Sequence, residues 1–444
     1  MAVVKMLAVG LMTIALLFSP SLVTDPARAA SPTPLAPTGP ADTVLAANIQ
    51  FRQSSGLRAD PAYVASVIAD PSASSSAYGA FLLPSEVADI AARVAVQDQL
   101  RPLQDAVDAD HTSFAGIWID QQAEGTVVIE LAPSLSALPA SVSSLVPSGA
   151  KVRLQTTRYG RDYLEGVANA IGAALKSMRG QGVDALSVGV DVPNDLVRVG
   201  VANPTAADQT WLNDHYGPAI EVVAEDPLAQ VSLPTGCSSR TDCRLEGGLA
   251  VSNISKWECT SDFSFKSSGY VYLATAGHCW DGTYYQWYEG TTTARYIGNN
   301  YAYSDYPGMT ADVMLMTQSA TTAKNLIYQS DSDMSHAITN HDSNAQQIYG
   351  QYACGTGYVS GYRCGPIIGT NLTETVPCPS GPCTEYHMWE ADFRSSGGDS
   401  GGSVYFANYG MGIADDASGV DTYYSTIDWI DSTMGSSLCV TSSC

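Results

Sequence analysis

The segment Gly398-Asp399-Ser400-Gly401-Gly402-Ser403 places a serine in a glycine-rich stretch near the end of the chain. A serine hydroxyl attacks a carbonyl carbon poorly unless an imidazole removes its proton and a carboxylate orients that imidazole. The surrounding glycines give the backbone the freedom to form a tight, exposed turn. Such a turn can direct backbone N–H groups, those of Gly398 and Ser400, toward the oxyanion that forms during acyl transfer.

A candidate base stands upstream, in Thr275-Ala276-Gly277-His278-Cys279. The candidate carboxylate is Asp312, because an apolar run that predicts a buried strand, Val313-Met314-Leu315-Met316, follows it directly. The same region also contains Asp305, Asp331 and Asp333. Asp312 can also be interpreted as a turn residue at the edge of a strand.

The order His278, Asp312, Ser400 resembles that of the chymotrypsin-fold serine proteases. The resemblance covers the last half of the chain and points to the short bacterial branch of α-lytic protease and the streptogrisins. It implies an all-β fold of two barrels, with these three residues as a catalytic triad in the crevice between them. It also implies an oxyanion hole formed by Gly398 and Ser400, and a reaction that requires no metal or organic cofactor. Residues 237–444 are therefore expected to form a chymotrypsin-like serine protease domain.

The first 29 residues are typical of a secretory signal peptide. Lys5 precedes the apolar stretch Met6–Phe18, and Ala27-Arg28-Ala29 fits a cleavage site with small residues. The alternative, a membrane anchor, would need a longer apolar run. The protein is thus expected to be secreted and extracellular, with no membrane contact after cleavage.

The chain has 444 residues and a formal net charge of -23. This length predicts about two or three domains. The negative charge argues against nucleic acid as a partner, because phosphates would be repelled. The expected partners are protein or peptide substrates and the chain's own prosegment, and a monomer is expected.

The ten cysteines all lie at or after Cys237, which in an exported protein favours disulfides over a metal site. Close spacing suggests the pairs Cys237–Cys243, Cys354–Cys364, Cys378–Cys383 and Cys439–Cys444. Cys259 and Cys279 remain. Cys259–Cys279 resembles the family's bridge beside the catalytic histidine, and Cys354–Cys364 resembles a bridge of the bacterial branch.

Residues 30–236 are expected to form an α+β prosegment that begins with a disordered, Pro-rich stretch over residues 30–45. Its pattern predicts helices within 46–110, an amphipathic helix over Tyr163–Met178, and a linker over 221–236. Strands are predicted at Phe114–Asp120, Thr126–Leu131, Ala185–Val190 and Leu196–Val201. This order resembles the prosegment of the α-lytic and streptogrisin type, with Phe114–Asp120 and Val188–Asp191 as the specific points of likeness. An unrelated ligand-binding or substrate-binding domain is the alternative.

The sequence departs from the family around the specificity pocket. Phe393–Gly397 lacks the family's cysteine, so the disulfide that braces the pocket is missing. Four charged residues could reach the pocket or could be solvated loop charges: Arg394, Asp415, Asp416 and Asp421. The substrate side chain that the pocket prefers therefore stays open.

Two other functions compete with that of a protease. One is a catalytically inactive, protease-fold binding or adhesion protein. The other is an esterase or lipase, which would need its serine on a strand-to-helix elbow. The strand-rich surroundings of Ser400 argue against that elbow.

Strands are predicted at Tyr270–Thr275, Tyr284–Tyr288, Arg295–Ile297 and Val313–Met316, and a closing helix begins within Ser425–Ile430.

Overall fold

A computed structural model of the chain describes residues 40–225, 246–253, 258–280, 283–290, 295–303, 310–318, 325–329, 336–377, 381–417, 420–442 and 444. The predicted signal peptide, residues 30–39 of the stretch predicted to be disordered, and Cys237, Cys243 and Cys378 lie outside these ranges. The prediction of disorder is wrong for residues 40–45, which belong to a helix that begins at Pro40. We refer to residues 40–225 as the N-terminal half and to the described residues from 246 onward as the C-terminal half.

The N-terminal half mixes helices and strands, as predicted. The helices are α1 (Pro40–Ser54), α2 (Pro61–Ile68), α3 (Pro84–Gln97), α4 (Arg101–Asp108), α5 (Ala140–Ser143), α6 (Arg161–Met178) and α7 (Ala206–Tyr216). The strands are β1 (Phe114–Asp120), β2 (Thr126–Leu131), β3 (Val152–Thr156), β4 (Ala185–Asp191), β5 (Leu196–Val201) and β6 (Ile220–Ala224). The apolar stripe of α6, which includes Leu164, Ile171 and Leu175, is buried against β4 and β5. The predicted amphipathic helix is therefore confirmed.

The predicted linker over 221–236 is wrong at its beginning. Ile220–Ala224 forms β6, which pairs in parallel with β5 from Val197↔Ile220 to Val201↔Ala224. The run Ile-Glu-Val-Val-Ala suits an edge strand, and α7 provides the crossover that two parallel strands require. Residues 226–236 lie outside the described ranges.

The C-terminal half consists almost entirely of strands. They are β7 (Ala250–Ser252), β8 (Glu258–Thr260), β9 (Ser264–Ser267), β10 (Tyr270–Thr275), β11 (Gln286–Glu289), β12 (Arg295–Tyr303), β13 (Met314–Thr317), β14 (Leu326–Ile327), β15 (His336–Ala337), β16 (Asn340–His341), β17 (Tyr352–Gly357), β18 (Gly361–Val376), β19 (Cys383–Ala391), β20 (Ser403–Phe406), β21 (Tyr409–Ala417), β22 (Thr422–Thr426) and β23 (Ser437–Leu438). The closing helix is α8 (Ile427–Met434). In this half, the predicted strand Tyr270–Thr275 is confirmed with its bounds. The predicted strand Arg295–Ile297 extends to Tyr303, and the bounds of the other two strands predicted here shift by one or two residues.

These strands form two main sheets. One has eight strands in the order β23-β9-β10-β13-β12-β11-β7-β8. In the other, β17-β20-β21-β22-β19-β18 are neighbours in turn, and β18 pairs again with β17, which closes a ring. The predicted fold class, an all-β C-terminal half after an α+β N-terminal half, is confirmed.

The two halves share one sheet and one core, which sequence patterns did not predict. Strand β4 pairs antiparallel with β18, through Thr373↔Val188 and Glu374↔Ser187. Phe51, Leu82 and Ile90 of the N-terminal half belong to the same buried cluster as the C-terminal barrel side chains. The N-terminal half thus covers the outside of the β17–β18 region.

None of the helices in the described ranges combines the length and the apolar character needed to cross a membrane.

Candidate active site

His278 lies in a short helical turn, Gly277–Cys279, that directly follows β10. Cys279 is bonded to Cys259 of β8, so a disulfide anchors the residue next to the histidine. The His278 side chain is mostly buried, with 16% of its surface exposed. Strand β10 before it and the Cys259–Cys279 disulfide after it thus fix the position of His278.

Asp312 contacts His278 twice. Its Oδ2 lies 2.5 Å from the imidazole Nδ1, and its Oδ1 accepts a hydrogen bond of 2.8 Å from the His278 backbone N–H. The carboxylate is fully buried. This arrangement fixes the orientation of the imidazole and leaves Nε2 as the nitrogen for proton transfer. The alternatives Asp305, Asp331 and Asp333 lie outside the described residues.

Ser400 lies in the turn that precedes β20. Its carbonyl oxygen accepts a 2.8 Å hydrogen bond from the Thr260 N–H, and its Oγ donates to the Asp415 carbonyl oxygen at 3.2 Å. The next residue, Gly401, has φ +86°, and a Cβ there would lie 2.2 Å from Thr275 Oγ1. Only glycine fits this position, which lets the serine turn pack against the residues just before His278.

The predicted oxyanion donors are the N–H groups of Gly398 and Ser400. Gly398 has φ +98°, and a Cβ there would lie 2.8 Å from side-chain atoms of Tyr358 and Val359. Within the described residues, neither N–H donates a hydrogen bond to the protein. Both donors therefore remain available for a charged oxygen.

Asp399 fixes the conformation of this turn. Its carboxylate accepts hydrogen bonds from the N–H groups of Val359, Ser360 and Ser396, at 3.0, 3.0 and 2.9 Å. Arg363 Nη1 lies 3.1 Å away, and the Asp399 side chain is 1% exposed. A buried carboxylate needs such donors and a charged partner, so these contacts stabilise the turn. Sequence reasoning missed Arg363, since no local pattern connects it with Ser400.

The four charged residues near the predicted pocket have different environments. Asp415 is 3% exposed and accepts a 2.7 Å hydrogen bond from Ser425 Oγ, so it is not a solvated loop charge. Burial, with Glu390 and Asp392 nearby, raises the pKa of Asp421 well above its usual range. Arg394 is half-buried, and Asp416 belongs to β21.

Three of the five predicted disulfides are present in the described residues, namely Cys259–Cys279, Cys354–Cys364 and Cys439–Cys444. The pairs Cys237–Cys243 and Cys378–Cys383 include cysteines outside the described ranges.

In the described part of the chain, the one group of three potential metal ligands is His111, Asp162 and Glu165 in the N-terminal half. His111 already contacts Asp162 at 2.8 Å, and Arg161 contacts Glu165 at 2.7 Å. Because both carboxylates have these partners, we assign no metal to the group.

No protein-family model matches the sequence, and no curated protein matches it either. Solved structures of bacterial serine proteases are similar to the C-terminal part of the chain. Nocardiopsis protease (NAPase) is 23% identical, with 44% of this chain and 100% of that chain covered and a TM-score of 0.37. Thermobifida fusca protease A is 24% identical, with 44% and 99% covered and a TM-score of 0.37. A glutamic acid-specific serine protease is 20% identical, with 44% and 100% covered and a TM-score of 0.36.

Proposed function

We propose that the protein is a secreted serine endopeptidase that hydrolyses peptide bonds through an acyl-enzyme on Ser400. The observation that carries this proposal is the pair of contacts between Asp312 and His278, next to a glycine-rich serine turn. A buried carboxylate that orients an imidazole is what a serine needs to become a nucleophile. The Ser400 turn lies between strands β19 and β20, which argues against the strand-to-helix elbow of an esterase or lipase.

In the proposed reaction, Ser400 Oγ rotates from the Asp415 carbonyl toward His278 and attacks the substrate carbonyl carbon. His278 Nε2 takes the hydroxyl proton, while Nδ1–H donates to Asp312. The N–H groups of Gly398 and Ser400 bind the oxyanion. His278 then gives the proton to the leaving amine as the C–N bond breaks, which leaves an acyl-enzyme. A water molecule, deprotonated by the same imidazole, releases the acid and restores Ser400.

The N-terminal half acts in this proposal as a prosegment that assists folding and is later removed. It extends the C-terminal barrel by a strand and contributes side chains to its core. The C-terminal half is rich in non-local strand pairings, which form slowly because long loops must close before contacts stabilise them. The N-terminal half lowers this barrier because it offers β4 as a pairing partner for β18. The proposed partners are protein or peptide substrates and this prosegment.

The direct test is labelling with a fluorophosphonate, followed by mass spectrometry to locate the label and by a peptide-cleavage assay. We expect the label on Ser400, and we expect Ser400→Ala to lower peptide cleavage by at least about 1000-fold. Ser267→Ala, at the half-buried end of β9, is the matched control and should keep both properties. A chain that folds but takes no label would be an inactive binding protein. A chain that is labelled but cleaves only esters would be an esterase.

A further inference from the structure

Asp415 is a buried acidic residue that the proposed reaction does not use chemically. It lies in β21 next to β22, where the pairing passes from Ala414↔Tyr424 to Ala417↔Thr422. Two residues on β21 thus oppose one on β22, which is a β-bulge. Bulges redirect side chains beside functional sites. Here the bulge directs the carbonyl oxygen of Asp415 to one neighbour and its carboxylate to another.

One neighbour is the candidate nucleophile Ser400, and the other, Ser425, contacts the candidate triad carboxylate Asp312. The Asp415 carbonyl oxygen accepts from Ser400 Oγ at 3.2 Å. Its Oδ2 accepts from Ser425 Oγ at 2.7 Å, and Ser425 Oγ in turn accepts from the backbone N–H of Asp312 at 2.9 Å. One residue therefore connects the nucleophile with the carboxylate that holds the imidazole.

We propose that Asp415 is a positioning residue, which keeps Asp312 in contact with His278 through the Ser425 hydroxyl. The inference rests on the proposed function. A hydroxyl has one proton to donate, and the Asp415 carboxylate accepts it at 2.7 Å. The Ser425 oxygen can then accept from the Asp312 N–H. Without the Asp415 carboxylate, the acceptor that Ser425 still contacts is Met388 Sδ at 3.7 Å, which is a weak one.

Asp312 holds both the ring and the backbone of His278, so a displacement of its main chain moves the imidazole directly. Small errors in the position of a catalytic base reduce the rate of the chemical step more than substrate binding. A positioning role therefore predicts an effect on kcat. A different role for Asp415, recognition of a cationic side chain in the specificity pocket, predicts an effect on KM that depends on the substrate.

The test is a double-mutant cycle in protein expressed as the full chain and allowed to mature, with Asp415→Ala, Ser425→Ala and the double variant, together with Asp415→Asn. Fluorophosphonate titration counts the reactive sites in each preparation and so corrects for any misfolded fraction. We expect Asp415→Ala to lower kcat by about 10- to 100-fold while KM changes less than about 3-fold. Asp415→Asn keeps an oxygen acceptor for Ser425 and should retain kcat within about 3-fold. The double variant should be no worse than Ser425→Ala alone, because the two residues act in one chain of hydrogen bonds.

Additive effects in the cycle, or an Asp415→Asn variant as poor as Asp415→Ala, would overturn the positioning role. So would a selective loss of cleavage after Lys or Arg, which would make Asp415 a specificity residue. A wild-type protein without fluorophosphonate reactivity would overturn the proposed function, and this inference with it. A reactive wild type with an additive cycle would overturn this inference alone.

Discussion

The two halves of the chain are stabilised by different means. The C-terminal half has a closed ring of strands and three disulfides among its described residues. The N-terminal half has no cysteine at all and depends on packed helices, one three-stranded sheet of its own and three strands of the shared sheet. A covalently braced domain can persist after export, whereas an unbraced domain can be lost without harm once its task is complete. The contrast fits a lasting enzyme and a temporary helper.

The contact between the halves resembles an internal interface more than a link between independent domains. Gln97 of α3 donates to the Tyr352 carbonyl at 3.2 Å and accepts from the Tyr352 N–H at 2.8 Å. It thus satisfies both backbone groups of Tyr352, which begins β17 and precedes the residues that pair with β20. Arg101 of α4 contacts the buried Asp342 at 2.6 Å. The N-terminal half therefore completes hydrogen bonds that β17 and its neighbours would otherwise make with water.

The interface between the two halves, which we call the junction, also buries ionisable side chains. Burial raises the pKa of Glu374 well above its usual range, and Glu225 and Glu390 nearby raise it further. Arg198 of β5 lies among them. Burial disfavours its charged form, but Glu390 and Glu225 hold its pKa above the ordinary value.

Among variants that test the difference between the two halves, the largest effect on stability is expected from removal of the disulfide that braces the β17–β18 hairpin. Cys354 and Cys364 face each other in the register of this hairpin. Replacing both with serine should cost about 2–4 kcal/mol of the free energy of unfolding, because the unfolded chain gains freedom. Hydrogen exchange should show faster opening of β17 and β18, with the sheet β1-β2-β3 unaffected. Equal loss of protection in both halves would mean that the bracing is not confined to the C-terminal half.

A smaller effect is expected at the junction. A Cβ at Gly172 of α6 would lie 3.1 Å from Thr373 Oγ1 of β18, so Gly172→Leu should force the helix away from the barrel. We expect a loss of about 1–3 kcal/mol in the free energy of unfolding of the precursor. Gly166→Leu on the same helix is the matched control, because a Cβ there meets nothing within 4 Å. It should be neutral or stabilising. Equal behaviour of the two variants would show that α6 does not pack against β18 as described.

The smallest effect is expected from a buried carboxyl in the N-terminal half. Burial raises the pKa of Glu130 to about 8, and Asp195 and Asp191 add to the shift against a hydrogen bond from Trp118. A raised folded-state pKa means that stability is full below about pH 4.5, the ordinary range, and is lost as the pH rises through about 8. Glu130→Gln should therefore stabilise the precursor at pH 7, by on the order of 1 kcal/mol, and leave it unchanged at pH 4.

Thermal unfolding of wild type and Glu130→Gln from pH 4 to 9 measures this difference. Glu124→Gln is the control, because Glu124 is exposed and pairs with Lys151 at the surface. A Glu130→Gln variant whose stability changes with pH in parallel with the wild type would contradict the assignment.

The sequence predicted features that depend on local pattern. The helix α6 followed from apolar residues three or four positions apart, and the Ser400 turn followed from its glycines. Asp312 could be chosen because an apolar strand follows it. The pairing of β4 with β18 could not be predicted, since it joins residues far apart whose strands have no distinguishing pattern. Arg363 beside Asp399, and Ser425 between Asp415 and Asp312, depend on the same kind of distant contact.

In the proposed division of labour, one half of the chain performs the chemistry and the other half enables it to fold. The most direct test is to refold the chain from Cys237 onward alone, and again with residues 30–236 added as a separate chain, and to count fluorophosphonate-reactive Ser400 sites in each case. We expect few reactive sites without the N-terminal half and a clear recovery when it is added. Full reactivity of the C-terminal half alone would contradict it and would leave the N-terminal half as a separate binding domain.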